Sequence, residues 1–560
     1  MSANLILASP ARSGGVHKSG GPGLQIAQLS TAFLILFLIW GNLTMGKSYL
    51  QNVYVISGLT TIGGLIQGFD VSSMSAIIGT DEYKKYFNKP DAVQQGGITA
   101  SMAGGSLLGS LVSSWTSDRF GRRDSLFIAC ITWLIGSTLM CAVQNVAMLI
   151  VSRILNGFAV GMLTSQGPIL IAEISLPHQR GRLLSLQQWM ITWGILIMYF
   201  ISYGASFMGN NGVFRLPWGL QMIPAMLLLC FLPMIPRSPR WLASQDRWEE
   251  ATDVLARLHG KGNTLDPIVV AQVHEIREKI ELERQYRSTS WLELFNKRNI
   301  IRVHCAIFTH VWSQMTGTNA MMYYIVYIFQ MAGLTGNATL LSASIQYIIN
   351  VVMTLPALIF IDRLPRRRLF IFGALAMGSF QFIQAGLVSS FGHNVPGGLK
   401  GSPTVTWKVT NSKASKAIIA CSYLFIASYA PTWGPLGWTY PPEIIPLYIR
   451  SKAVSLATFF NWGCNFALTF FTPPAFEHIQ WKIYCVFGTF CFAAAIHVFF
   501  LFQETCGKSL EEIDIIFEKE SIWAFKAKQE PSRLAADIEQ AKEDLSIGKV
   551  GAYHAKQAES

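Results

Sequence analysis

The chain has 560 residues, 51% of them hydrophobic and only 14% charged, with a formal net charge of +12. Soluble domains carry about 25% charged residues, so this composition excludes a purely water-exposed protein, and long apolar runs override what length alone implies about soluble domains. The cations lie in short connectors, as at Arg119, Arg122, Arg123, Arg180, Arg182, Arg366, Arg367 and Arg368; this is the bias of cytoplasmic loops and not of a nucleic-acid surface.

Residues 1–49 form an extension whose first thirty residues are rich in Gly, Ser and Ala. They lack the basic, apolar and small-residue order of a cleaved leader. The run Thr31 to Gly41 is shorter than the roughly 20 residues a span requires, and reads as an interfacial helix or a plain extension. Runs long enough to span follow at 51–69, 97–116, 125–143, 147–167, 184–204, 218–235, 303–330, 339–361, 369–390, 416–438, 452–472 and 481–502. Only helices or closed barrels satisfy the backbone in lipid, and barrel strands need only about ten residues. The expected fold is therefore an all-α integral membrane protein with twelve transmembrane helices.

Residues 50–236 and 301–502 hold six runs each, joined by a polar linker at 237–300. Within the linker, Trp248 to Ala251 and Val273 to Ile280 read as short amphipathic helices. The insert 391–415, with Pro396, Gly397, Gly398 and Pro403, reads as a loop. Residues 503–560 form a charged, then polar, tail. Twelve spans return the chain to its starting side, so both termini are expected in the cytoplasm. Most of the nine cysteines lie inside apolar runs and read as packing residues. His304, His310 and His497 lack metal-ligand spacing and read as pore-lining or packing groups. Neither metal nor cofactor is expected.

The halves echo each other. Asp118-Arg119-Phe120-Gly121-Arg122-Arg123 follows the second run, and Asp362-Arg363-Leu364-Pro365-Arg366-Arg367 follows the eighth. Glu173 and Arg180 follow the fourth run, seven residues apart, as Glu443 and Arg450 follow the tenth. Such repeats mark transporters built from two similar bundles, with substrate bound at midplane between them. Plain topology would account for the cations but needs neither the acids nor the repeat. Several amides fall inside spans: Gln187, Gln188, Gln314, Asn319, Asn350, Asn461 and Asn465, with Trp433 and Trp438 nearby. An amide both donates and accepts, which suits sugar hydroxyls, and an aromatic face suits the apolar side of a pyranose. The alternative is helix-to-helix hydrogen bonding. Gln314 and Asn319 lie about 140° apart on an ideal helix, so both reach one ligand only if the helix breaks, which Gly317 between them allows. Gln187 points about 100° away from Gln188. Pro431, Gly434, Pro435, Gly437, Pro441 and Pro442 make the tenth run bendable around Trp438.

These motifs, with Ser75 to Gly104 and Met321 to Phe329, resemble the sugar porter family of the major facilitator superfamily over roughly residues 50–520, and within it the fungal high-affinity glucose transporters. The resemblance implies the major facilitator fold in two six-helix bundles, alternating access, and uptake at the plasma membrane. It implies sugar contacts at Gln188, Gln314, Asn319, Asn350, Trp438 and Asn461. It implies an inner gate of Asp118, Arg122, Arg123, Glu173, Arg180, Asp362, Arg366, Arg367, Glu443 and Arg450, and an outer closure at Tyr323 and Tyr324. It implies proton coupling at Asp70, in Gly68-Phe69-Asp70, with Arg153. Charge inside a membrane helix is costly, so two such groups should find each other. Four positions depart from the family: Pro365 stands for Gly, Arg237 for Glu, Gln503 for Pro, and Ser313 for a second Gln. The expected partners are a monosaccharide, a proton and membrane lipid, with no nucleic acid, and the protein is expected to be a monomer. A non-transporting sugar sensor of the same fold is the alternative, as is a porter for another sugar or polyol. No nucleophile–base pair or nucleotide loop points to an enzyme.

Overall fold

The computed structural model describes residues 50–285, 291–334, 337–395, 398, 405–506, 508, 513, 516, 517 and 524. The run Thr31 to Gly41, both termini and most of the tail lie outside them. Each of the twelve apolar runs is helical. In chain order the amino half comprises α1 (Val53–Thr60), α2 (Ile62–Ser75), α3 (Asp81–Tyr86), α4 (Ala92–Phe120), α5 (Arg122–Cys141), α6 (Val146–Ile174), α7 (Pro177–Ala205), α8 (Gly212–Leu220) and α9 (Met222–Phe231). The linker forms α10 (Pro239–Ser244), α11 (Trp248–His259) and α12 (Pro267–Gln285), the last two covering the expected amphipathic segments. The carboxyl half comprises α13 (Ile300–Met315), α14 (Thr318–Tyr323), α15 (Ile325–Met331), α16 (Asn337–Phe360), α17 (Arg366–Phe391), α18 (Ser412–Tyr429), α19 (Trp433–Ile444), α20 (Leu447–His478) and α21 (Lys482–Leu501).

Among the described residues, eight helical stretches are both long and apolar enough to cross a membrane. The four runs outside that set are the interrupted or polar ones. Thr61 divides α1 from α2, and Gly317 and Tyr324 divide α13, α14 and α15. Buried Gln, Ser and Thr line α4, and buried Thr and Asn line α20. Some helix starts are capped by short polar side chains that satisfy otherwise orphaned amides. Asp91 accepts from Gln94 N at 2.7 Å to start α4, and Asn145 from Met148 N at 2.8 Å to start α6.

Close packing in the amino half rests on small residues. Gly105 and Gly109 on α4 face the carbonyls of Ile154 and Phe158, and Gly157 and Gly161 on α6 face those of Met102 and Ser106. A Cβ at any of the four would strike a backbone oxygen. This small-xxx-small spacing lets two helices approach where lipid removes the hydrophobic driving force. Gly68 and Gly194 do the same for α2 and α7.

The halves meet in a pseudo-twofold pattern, α4 against α20 and α16 against α7. The insert expected as a loop instead carries a two-stranded antiparallel ladder, β1 (Gly392–Asn394) with β2 (Trp407–Val409). Trp407 anchors it by donating Nε1 to the Val388 carbonyl at 3.0 Å, a tie that local turn chemistry does not announce.

Candidate substrate site and its gates

Gly317 takes a left-handed φ of +82°, so α13 stops and α14 restarts on a new axis. The break turns Asn319 back toward Gln314, whose Oε1 accepts from Asn319 Nδ2 at 2.6 Å. Gln314 Nε2 donates to Asn461 Oδ1 at 2.8 Å, and Gln314 Oε1 also accepts from Asn465 Nδ2 at 3.2 Å. Gln314 is thus the hub of a four-amide cluster in the carboxyl half. The bend in the tenth run falls at 430–432, between α18 and α19. It sets Trp438 across from Gln188, whose Oε1 accepts from Trp438 Nε1 at 3.0 Å. That bond joins the two halves.

These groups line one cavity of about 50 Å³, together with Gln67, Asn350, Ser313, His310, Tyr323 and Gly437. One water needs ~10–15 Å³, so the cavity has room for several waters beside its polar side chains. All six residues singled out for sugar contact line it. Asn350 is 2% exposed with Oδ1 unpartnered among the described residues. Ser313 lies within 3.3 Å of the Tyr429 hydroxyl, and the His310 ring stands edge-on to Trp438. Gln187 does not line the cavity; its buried amide faces Gly64 and Gly167. Gln67 is a lining residue that sequence reasoning misses. It lies inside the first apolar run, and only the fold shows that its face of α2 meets the cavity.

Asp70 and Arg153 lie 3.5 Å apart, both fully buried. Arg153 also donates to the Thr99 carbonyl at 3.3 Å. Neither carboxylate oxygen has a hydrogen-bond partner among the described residues, so the pair is held by charge more than by hydrogen bonding.

The basic-acidic repeats gather at one end of each half. In the amino half Arg122 bonds Glu173 at 2.9 Å and lies 3.9 Å from Asp118. The Ser238 hydroxyl donates to Glu173. Arg123 contacts Asp124 at 3.2 Å, and Arg237 reaches the same carboxylate at 2.8 Å. The reversed charge at Arg237 therefore shares Asp124 with Arg123 and leaves Glu173 to Arg122 and Ser238. In the carboxyl half Arg366 lies 3.7 Å from Asp362 and 3.5 Å from Glu443. Arg367 instead donates to the Phe499 carbonyl at 2.5 Å, while Glu504 accepts from the backbone of Arg366 and Arg367. Arg450 donates to the Ile445 carbonyl, and Arg180 is buried. Gly181 on α7 abuts the Asp362 carboxylate and the Arg366 guanidinium, so the halves touch here. On the far side of the cavity the Tyr199 hydroxyl donates to the Leu340 carbonyl at 2.9 Å. Tyr323 lines the cavity, whereas Tyr324 is buried away from it and donates to the Thr469 carbonyl at 2.9 Å.

A family model described as "Sugar (and other) transporter" matches residues 57–517. The chain belongs to that family. It is 45% identical over 468 residues to a high-affinity glucose transporter of Kluyveromyces lactis, covering 83% of this chain and 85% of that one. High-affinity glucose transporter 1 of Candida albicans is 42% identical over 497 residues, covering 88% and 91%. Among solved structures, the major facilitator proton:xylose symporter XylE bound to 6-bromo-6-deoxy-D-glucose superposes with a TM-score of 0.71 at 26% identity, covering 83% of this chain and 99% of that one. The fold is that of the major facilitator superfamily, with twelve apolar helical runs among the described residues in two six-helix bundles. This family member is a membrane carrier and not an enzyme.

Proposed function

We propose that this carrier moves a hexose, with glucose the first candidate, into the cell together with a proton. The observation that carries the reading is one cavity between the halves, lined by five amides and a tryptophan at the anticipated positions. Neutral polyhydroxylated ligands need groups that donate and accept, and among the described residues lining the cavity there is no Asp, Glu, Lys or Arg to attract an ion. The similarity to fungal high-affinity glucose transporters supports glucose, and the likeness to a proton:xylose symporter supports a proton.

In this reading the protein sits in the plasma membrane with both termini and the charged helix ends in the cytoplasm. Residues 50–236 and 301–502 are the two moving bundles, and 237–300 is the linker between them. Arg122–Glu173, with Asp118, Arg123 and Arg180, and Arg366–Asp362–Glu443, with Arg367 and Arg450, form the inner gate. Tyr323 and Tyr324 close the outer side. Asp70 takes and releases the proton against Arg153. Opening inward separates Gly181 from the Asp362–Arg366 pair.

The test is uptake of labelled glucose by cells lacking other hexose carriers, with external pH recorded together. Saturable uptake with alkalinisation of the medium is expected. Uptake without a pH change would leave a passive carrier. Surface-expressed protein that moves no sugar would favour the sensor.

A further inference from the structure

Gln188, Ile191, Ile195 and Tyr199 follow one another along α7 at separations of three, four and four residues, which keeps them on one face. The first three line the cavity, whereas Tyr199 is fully buried just beyond it. The facing helix repeats the arrangement. Asn350 of α16 lines the cavity, and Tyr347, three residues before it, is fully buried just beyond. The two rings meet across the halves, with centroids 4.7 Å apart and planes tilted by 48°. Tyr199 also donates its hydroxyl to the Leu340 carbonyl of α16 at 2.9 Å. From Tyr347 the helix runs past Asn350 toward Asp362, so the paired rings roof the cavity on the side away from the basic-acidic repeats.

The Tyr347 hydroxyl makes a second tie, donating to the Met322 carbonyl of α14 at 2.8 Å. That helix is a six-residue segment with a backbone break at each end, at Gly317 and at Tyr324. Short segments bounded in this way absorb a change of direction at their ends and move as a unit. Met322 and Tyr323 on α14 both line the cavity. Tyr347 therefore joins three bodies: α16, which bears it; α14, through its hydroxyl; and α7, through the Tyr199 ring. A buried hydroxyl left without its acceptor is costly, so the Tyr347 side chain follows α14 when that segment moves off the cavity. The ring on which Tyr199 packs is then withdrawn, and the contact between the halves weakens.

We propose that Tyr199 and Tyr347 form a latch across the α7–α16 seam, and that Tyr347 passes movement of α14 to that seam. The assignment rests on the carrier reading above, in which this side of the cavity faces out. Tyr199→Phe and Tyr347→Phe keep the rings and remove one hydrogen bond each. They are made in full-length protein carrying Gly437→Cys, since a Cβ at this cavity position meets nothing within 4 Å. Tyr203→Phe is the control; that ring lies one turn further along α7 and packs on Phe207 of the same half. A membrane-impermeant methanethiosulfonate is applied, without sugar, to intact cells and separately to inside-out vesicles. Mass spectrometry of the peptide bearing position 437 gives each labelling rate, which keeps the nine native cysteines out of the reading. Glucose uptake by wild type is measured alongside. Tyr199→Phe and Tyr347→Phe are each expected to raise the external rate about two- to twelvefold, the effect of one lost hydrogen bond on an open–closed equilibrium. Both should lower the rate from the cytoplasmic face, whereas a merely loosened fold would raise both rates. Tyr203→Phe should change neither. An external rate unchanged in either seam variant, or a rise from both faces, would overturn the latch whether or not glucose is carried. The expected shifts in a protein whose wild type takes up no glucose would sink the hexose reading and leave the latch standing.

Discussion

Replacing Asn319 and Gln314 by alanine, one at a time, separates sugar contact from scaffold. Asn319 donates one hydrogen bond, to Gln314 Oε1 at 2.6 Å, and that oxygen keeps a second donor in Asn465 at 3.2 Å. Asn319→Ala therefore leaves Gln314 satisfied. The expected cost is the sugar contact alone, about 0.5–1.5 kcal/mol, or roughly a two- to twelvefold rise in the half-saturating concentration. Gln314→Ala strips partners from Asn319, Asn461 and Asn465 together. Buried groups left unpaired cost about 1–3 kcal/mol each. Gln314→Ala should therefore weaken sugar more than tenfold and also lower the melting temperature of the solubilised protein. The assay is uptake kinetics normalised to surface protein, with a thermal-unfolding curve for each variant. Equal effects of the two substitutions on both readouts would refute the hub, and unchanged uptake in both would remove these amides from the site.

Gly437 lines the cavity, and a Cβ there would meet nothing within 4 Å. Gly437→Ala should transport nearly normally, whereas Gly437→Leu should fill the space and abolish uptake without lowering the melting temperature. Gly157→Val should destabilise the purified protein by about 1–3 kcal/mol or more, through overpacking against the Met102 carbonyl. Gly204→Ala, where a Cβ meets nothing, should stay within about 0.5 kcal/mol of wild type in the same unfolding assay.

What can be read from the sequence follows from which signals are local. Span length is local, so all twelve runs are visible, as is the break at Gly317, where glycine separates two amides that an unbroken helix would splay. The spacing Gly105-x-x-x-Gly109 and Gly157-x-x-x-Gly161 is equally plain in the chain, yet which two helices it joins is a tertiary fact. Gln67 escapes notice for the opposite reason: apolar neighbours make its run read as a span, and only the register of α2 against the cavity gives the amide a direction. The ladder between Gly392–Asn394 and Trp407–Val409 pairs residues across the insert, a contact that turn-forming Pro and Gly cannot forecast. Arg237 reads as a charge reversal, because its acid, Asp124, lies 113 residues away in the chain.

Asp70 offers the sharpest test of coupling. Its carboxylate lies 3.5 Å from the Arg153 guanidinium, and both side chains are fully buried. Asp70→Asn keeps the size and removes titration, but it also leaves Arg153 as an uncompensated buried cation with the Thr99 carbonyl as its hydrogen-bond acceptor. Breaking a buried pair from one side costs about 3–5 kcal/mol, whereas replacing both members by apolar groups is often neutral. Loss of activity in Asp70→Asn alone could therefore be loss of fold. The informative comparison adds Arg153→Met to Asp70→Asn. If the pair is a static clamp, the double variant should regain both stability and concentrative uptake. If Asp70 carries the proton, the double variant should regain stability and exchange labelled glucose across the membrane at equal concentrations, yet never accumulate it or draw protons in with it. Accumulation against a gradient with proton entry, in either variant, would show that the proton travels by another group.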